Sequence, residues 1–139
     1  METDDLRGEL IRSLGHIYQL EAFSALEAML QGESLVLQAL AERREAAHPS
    51  ALSRELRLSP SRITGTLSSL RRKGFVVMEP SEEDRRMIRV SITAAGLCFI
   101  GQQMARMETY FDQMLKGLGR GDAEALIALI ERCVAVMEA

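Results

Sequence analysis

Residues 59–74, SPSRITGTLSSLRRKG, constrain this chain more than any other segment. Ser59 supplies a side-chain acceptor where a helix needs one, and Pro60 suits the first helical position, where a missing N–H costs nothing. Ile63, Leu67 and Leu70 follow at i, i+4 and i+7, giving one buried face and leaving the others polar. Gly74 stands where a helix should end, so the spacing predicts a helix over about 60–73. The pattern then changes. Phe75, Val76 and Val77 start a strand, Pro80, Ser81 and three acids make a turn, and Ile88, Val90 and Ile92 alternate with Arg89 and Ser91. This reads as a β-hairpin over about 75–92. Upstream, Pro49 opens a short helix, roughly 49–56, that buries Leu52 and Leu56. A short helix, a turn and a second helix form a helix-turn-helix, and the hairpin supplies its wing.

The flanks are helical. Residues 3–30 read as one long helix, with Leu6, Leu10, Leu14, Ile17, Tyr18, Phe23, Leu26 and Leu30 near helical spacing, broken at Gly32. A second helix, about 33–46, carries Leu35, Leu37, Leu40 and Ala41 into the polar stretch Glu42–Glu45 and stops at His48 and Pro49. From Thr93 a helix carries Leu97, Ile100, Met104, Met107, Phe111, Met114, Leu115 and Leu118. Gly119 and Gly121 interrupt it, and Asp122 is placed to cap a last helix bearing Leu126, Leu129, Ile130, Cys133, Val134 and Met137. The fold class is therefore mainly α, one domain over 1–139 with a winged helix-turn-helix lobe at 33–93. The long N- and C-terminal helices, 3–31 and 97–138, carry more apolar surface than so small a centre can cover, which predicts dimerisation through them.

Enzyme chemistry finds little to build on. The two histidines, His16 and His48, are far apart, and Cys98 and Cys133 have neither metal nor disulfide spacing. Both cysteines fall in helical stretches and read as small buried apolar residues. No Gly-rich phosphate loop is present, so no catalytic, metal or cofactor site is expected. No apolar run is long enough to span a membrane, and the acidic start METDDLRGEL is unlike a signal peptide, so a cytoplasmic chain is expected.

The charge distribution points to nucleic acid. The chain nets −3, yet residues 53–92 hold nine Arg or Lys against five acids, a local +4, and the remainder nets −7. A basic island on an acidic body can bind phosphate without binding everything. In a helix-turn-helix the second helix enters the major groove. Its non-core positions offer Ser61, Thr64, Gly65, Thr66 and Ser69 to bases or phosphates behind the Ser59 cap, and Arg62 can fork onto guanine. Arg71, Arg72 and Lys73 suit the helix C-terminus and can reach the backbone. Alone, such a face is equally a solvated one; followed at once by a hairpin, it favours DNA. The hairpin tip, SEEDRRMIRV, presents Arg85 and Arg86, which suit a minor groove, beside Asp84, which can hold one of those arginines in place.

These residues resemble the MarR family of winged-helix transcription regulators. The family's wing pattern, D-x-R-x-x-x-V-x-[LI]-T and then Gly, is met by Asp84, Arg86, Val90, Ile92, Thr93 and Gly96, and its helix-turn-helix by Leu52, Leu56, Ser59, Thr64, Leu70 and Gly74. The resemblance implies a homodimer on a pseudo-palindromic DNA operator, usually a repressor, and in many members release by a small aromatic or phenolic ligand. Departures from the pattern are Gly65 where members often have a basic residue, Arg57 where the turn often has Gly, and Met78 and Glu79 where arginines are common. Residues 1–31 lack cysteine and histidine is scarce, so the peroxide- and zinc-sensing mechanisms of the family do not carry over. Glu79, Glu82 and Glu83 give some weight to an alternative, a winged-helix module that binds a partner protein in place of DNA; Arg62, Arg71, Arg72 and Arg86 weigh more on the side of DNA.

Overall fold

Ile63, Leu67 and Leu70 lie at the centre of a small core, each almost wholly removed from solvent. A computed structural model describes residues 2–43 and 45–139. In chain order the elements are α1 (Glu2–Tyr18), α2 (Glu21–Met29), α3 (Gly32–Ala41), α4 (Pro49–Leu56), α5 (Pro60–Arg72), β1 (Val76–Pro80), β2 (Ile88–Ile92), α6 (Ala94–Leu118) and α7 (Arg120–Glu138). Around the α5 face pack Val36, Leu37 and Leu40 of α3, Leu52 of α4, Val76 and Val90 of the hairpin, and Ile100 of α6. The mainly helical winged-helix fold is the one expected.

The strands pair antiparallel from Val76↔Ile92 to Pro80↔Ile88. Ala47 adds a rung that the sequence did not reveal: its N–H donates to the Val90 carbonyl at 2.9 Å, and the Val90 N–H returns a bond at 2.7 Å. This rung explains why the second helix is shorter than expected. It ends at Ala41, not near 46, because the chain must extend to reach β2 and His48, before Pro49, is extended too. Arg44, inside that polar stretch, lies outside the described residues.

The expected helix over 3–30 is two helices. Leu20 is extended and begins α2, which turns to bury Ala22, Ala25 and Met29, whereas α1 buries nothing. Reorientation lets α2 pack along α6, with Phe23 edge-on to Phe111 at 5.9 Å between centroids. Gly32 does not break a helix but starts α3; the break falls at Leu30–Gln31. At the other end Gly119, with φ of 81°, separates α6 from α7, and Gly121 and Asp122 lie inside α7. Asp122 therefore sits in the first turn, where its charge suits the dipole, and does not cap. Cys98 and Cys133 are exposed on this chain, contrary to the expectation of burial.

Apolar surface remains uncovered. Leu6, Leu10, Ile11 and Leu14 on α1 are each more than half exposed, as are Ile127, Leu129, Ile130 and Met137 on α7. Among the described residues no helix is long and apolar enough to cross a membrane.

The junction from wing to α6 is fixed by Thr93 and Gly96. Thr93 caps α6, its hydroxyl accepting from the Gly96 N–H at 3.1 Å and donating to the Gly74 carbonyl at 2.7 Å. A Cβ on Gly96 would sit 2.3 Å from the Phe75 carbonyl oxygen, so only glycine permits this approach. Gly65, in contrast, has open space at its Cβ position. Gly96→Ala should therefore destabilise by about 1–3 kcal/mol through overpacking against backbone, whereas Gly65→Ala should stabilise by up to ~1 kcal/mol through helix propensity. Urea unfolding at fixed protein concentration measures both, and shifts of the same sign would contradict this account of the junction.

Candidate nucleic-acid interface

The second helix of the helix-turn-helix is built as its sequence dictates. The Ser59 side chain accepts from the Arg62 N–H at 3.2 Å and Pro60 takes the first position. At the other end the Gly74 N–H bonds to Arg71 and the Phe75 N–H to Leu70, with Gly74 at φ 79°, a Schellman termination. The turn before it needs a left-handed residue, and that residue is Arg57, at φ 55° and ψ 40°. A non-glycine there costs about 1–2 kcal/mol of local strain, which gives the physical reason why glycine suits this position.

The expected contact residues do not share one face of α5. Ser61, Gly65 and Arg72 are exposed and fall on an outward stripe opposite the core, and Ser68, which the sequence reading did not single out, lies on it with them. Its i+3 and i+4 spacing to Gly65 and Arg72 was the available signal. Thr64 is exposed beside this stripe, but its hydroxyl donates back to the Pro60 carbonyl at 2.9 Å. The Ser59 oxygen is committed to capping, with the Ser61 hydroxyl 3.3 Å away.

Arg62, Thr66 and Ser69 form a different stripe, directed at the N-terminus of α3. A Cβ on Gly32 would lie 3.5 Å from the Thr66 hydroxyl and 4.0 Å from the Arg62 guanidinium. Lys73 continues this stripe, and its ammonium meets the Glu33 carboxylate at 2.7 Å. Burial pushes the Glu33 carboxyl up, but hydrogen bonds from Lys73 and Ser69 and the charges of Lys73 and Arg72 outweigh it and hold the group below its ordinary value. Glu33 was missed by the sequence reading, since nothing local connects it to α5.

The wing tip is a closed turn. Ser81 N–H donates to the Met87 carbonyl at 2.7 Å and Met87 N–H to the Asp84 carbonyl at 2.9 Å. Asp84 and Arg86 are brought together as expected: Asp84 Oδ1 accepts from the Arg86 backbone N–H at 3.1 Å and from its Nε at 3.2 Å, and Oδ2 from Nη2 at 3.4 Å. The backbone bond first, then the side-chain bond, holds the Asp84 carboxyl below its usual range. The Arg86 side chain is nonetheless 91% exposed, so it is oriented without being hidden. Arg85 is exposed and, with Glu79, Ser81, Glu82 and Arg89, borders an open groove on the flank of the wing. Among the described residues no cluster of side chains is arranged to hold a metal ion.

The model of the MarR family matches residues 29–87, the segment from the end of α2 through the wing tip. The HTH-type transcriptional regulator PapX of Escherichia coli is 26% identical over 94 residues, covering 68% of this chain and 57% of PapX. The chain spans about half the length of the curated relatives it matches. Among solved structures, YusO of Bacillus subtilis superposes with a TM-score of 0.68 at 20% identity, covering 98% of this chain and 97% of YusO. MepR of Staphylococcus aureus, described as a transcription regulator of the multidrug efflux pump MepA, gives 0.67 at 15% identity, covering 94% and 97%. A MepR mutant bound to an oligodeoxyribonucleotide and MepR bound to ethidium bromide superpose with TM-scores of 0.63 and 0.66, each at 16% identity, and cover 94% of this chain and 97% and 95% of their own. At these identities the likeness is one of fold.

The Asp84 clasp has a testable consequence. Because the folded carboxyl lies below its unfolded value, its contribution is complete above the ordinary carboxylate range and is lost as pH falls through the lowered value. Asp84→Ala should speed hydrogen exchange of the Arg86 and Met87 amides at neutral pH without moving the thermal midpoint, and the native chain should show the same loosening only in strong acid. Unchanged exchange at Arg86 in the variant would show that the turn holds its shape without the carboxylate.

Proposed function

From the match of residues 29–87 to the MarR family model, we propose that this chain is a winged-helix protein of that family and a sequence-specific DNA-binding transcriptional regulator. The observation that carries the proposal is a polar outward stripe on α5, Ser61, Gly65, Ser68 and Arg72, joined through Gly74 and Thr93 to a wing whose arginines are exposed and oriented. A helix capped and terminated in this way is a rigid probe for a major groove, and a guanidinium on a short turn suits the negative potential of a minor groove. The acidic remainder of the chain limits indiscriminate binding.

The working form is a homodimer, with a second copy covering α1, α6 and α7, whose apolar faces are otherwise wet. Two lobes related by a twofold axis read a pseudo-palindromic operator, and occupancy of a promoter by such a dimer represses it. A small aromatic effector, entering between the dimer helices and the lobe, would shift the spacing of the two α5 helices. MepR, with its oligonucleotide and ethidium complexes, supplies a precedent in the same fold for both kinds of partner. The wing acids Glu82 and Glu83 and the exposed Val77, Met87 and Ile88 support a second reading, a module that docks a partner protein through the wing.

Selection of bound genomic fragments provides the site on which the residues can be tested. Arg62, in the first turn of α5, lies toward α3 and would have to swing off that flank to reach base edges; on this reading Arg62→Ala should cost about 1–3 kcal/mol of discrimination at one position per half-site. Arg72, exposed in the last turn, is assigned to phosphate on this reading, so Arg72→Ala should weaken all DNA together and flatten the salt dependence. Binding titrations on the selected site, its single-base variants and random DNA at several salt concentrations measure both. Equal weakening by Arg62→Ala on every DNA, with altered base preference in Arg72→Ala, would reverse the orientation of α5 in the groove.

A further inference from the structure

Lys73 is the last cation of the recognition helix, yet its charge is already matched. Its Nζ lies 2.7 Å from Glu33 Oε2, forty residues away in sequence and on another helix. Glu33 is in the first turn of α3, whose N-cap Gln31 contributes no side-chain cap, so the helix dipole favours a carboxylate there. Ser69, one turn before Lys73, lies on the same stripe of α5 and its hydroxyl helps to lower the Glu33 carboxyl. The pair is not buried: the side chains of Lys73 and Glu33 are 50% and 33% exposed. An exposed pair of this kind adds little to stability. Its larger effect is on the charge that the lobe presents to a polyanion.

We propose that Glu33 occupies Lys73 in the manner of a DNA phosphate, so that each protomer withholds one recognition-helix charge from DNA. A carboxylate in the first turn of a helix, held by an ammonium, meets the same charge that a backbone phosphate would find at this edge of α5. While the clasp is closed, Lys73 displaces no counterion from DNA, and the electrostatic part of binding is set by the remaining arginines. Glu33 thus acts through Lys73 as a positioning residue that lowers general affinity and leaves base-edge contacts in command. This inference rests on the DNA-binding reading above.

The test is a set of four chains: the native protein, Glu33→Gln, Lys73→Met, and the two combined. Glutamine keeps the shape and an acceptor for Ser69 while removing the charge, and circular dichroism with a thermal melt confirms that each variant is folded. Each is titrated with the selected operator and with random DNA across a salt series. Glu33→Gln should bind both DNAs several-fold more tightly. Its salt slope should steepen by about 0.9 per protomer, the value for one added phosphate contact. Discrimination between operator and random DNA should not rise. In the combined variant the gain should vanish, because there is no Lys73 to release. Lys73→Met alone should leave the salt slope as it is in the native chain. An unchanged slope in Glu33→Gln overturns the clasp and leaves the DNA-binding reading standing, and so does a gain that persists without Lys73, which would be a general charge effect. Failure of the native chain and all variants to bind any DNA overturns the reading of function itself, and the clasp with it.

Discussion

The architecture turns on Thr93. Its hydroxyl donates to the Gly74 carbonyl at the end of the recognition helix and accepts from Gly96 in the first turn of α6, and its N–H donates to Phe75 at 3.0 Å. One residue therefore joins the recognition helix, the root of the wing and the long helix that leads out of the lobe. Gly96 makes this possible, since any side chain there would meet the Phe75 carbonyl. These bonds tie the start of α6 to the end of α5 and to the root of the wing. In the proposed dimer, this junction would couple the spacing of the two lobes to the aim of their helices.

Two kinds of surface surround that junction. On one side the core ends and α1, α6 and α7 present leucine, isoleucine and methionine to solvent. Leaving such stripes wet is unfavourable at about 25 cal/mol per Å² of apolar area, and a second copy of the same helices is the cover proposed for them. On the other side the charge is positive but metered. Asp84 orients Arg86 without hiding it, and Glu33 pairs with Lys73. On the proposed reading these acids bear differently on DNA, one by aiming a guanidinium and one by withholding an ammonium. On the proposed reading, the lobe's attraction to phosphate is smaller by one lysine than its count of basic residues suggests.

Much of the lobe was legible because its signals are local. The Ser59 cap, the Ile63–Leu67–Leu70 face, the Gly74 termination and the Asp84–Arg86 clasp each involve residues a few positions apart, and each is found where the spacing put it. What the sequence hid is long-range or set by competition. Ala47 pairs with Val90 and Glu33 with Lys73 across more than a helix of intervening chain, and no local pattern marks either. The break at Gln19–Leu20 carries no Gly or Pro; it follows from the burial that α2 gains against α6, which a continuous helix would forgo. The candidate contact residues of α5 are legible by type, but their division into an outward stripe and an α3-facing stripe needs the position of α3. The cysteines were misjudged for a related reason, since their helices are apolar enough to suggest burial that a single chain does not provide.

Hydroxyl-radical footprinting on a DNA fragment selected by the purified protein tests the central claim most directly, because it reads dimer symmetry, groove and sequence together. The account predicts two equivalent protected half-sites related by a dyad, their centres separated by one helical turn of about 10 base pairs or a small multiple of it. Protection in the adjacent minor grooves should mark the wings. A single unsymmetrical patch, or protection that does not follow the base sequence when the site is moved within the fragment, would contradict it.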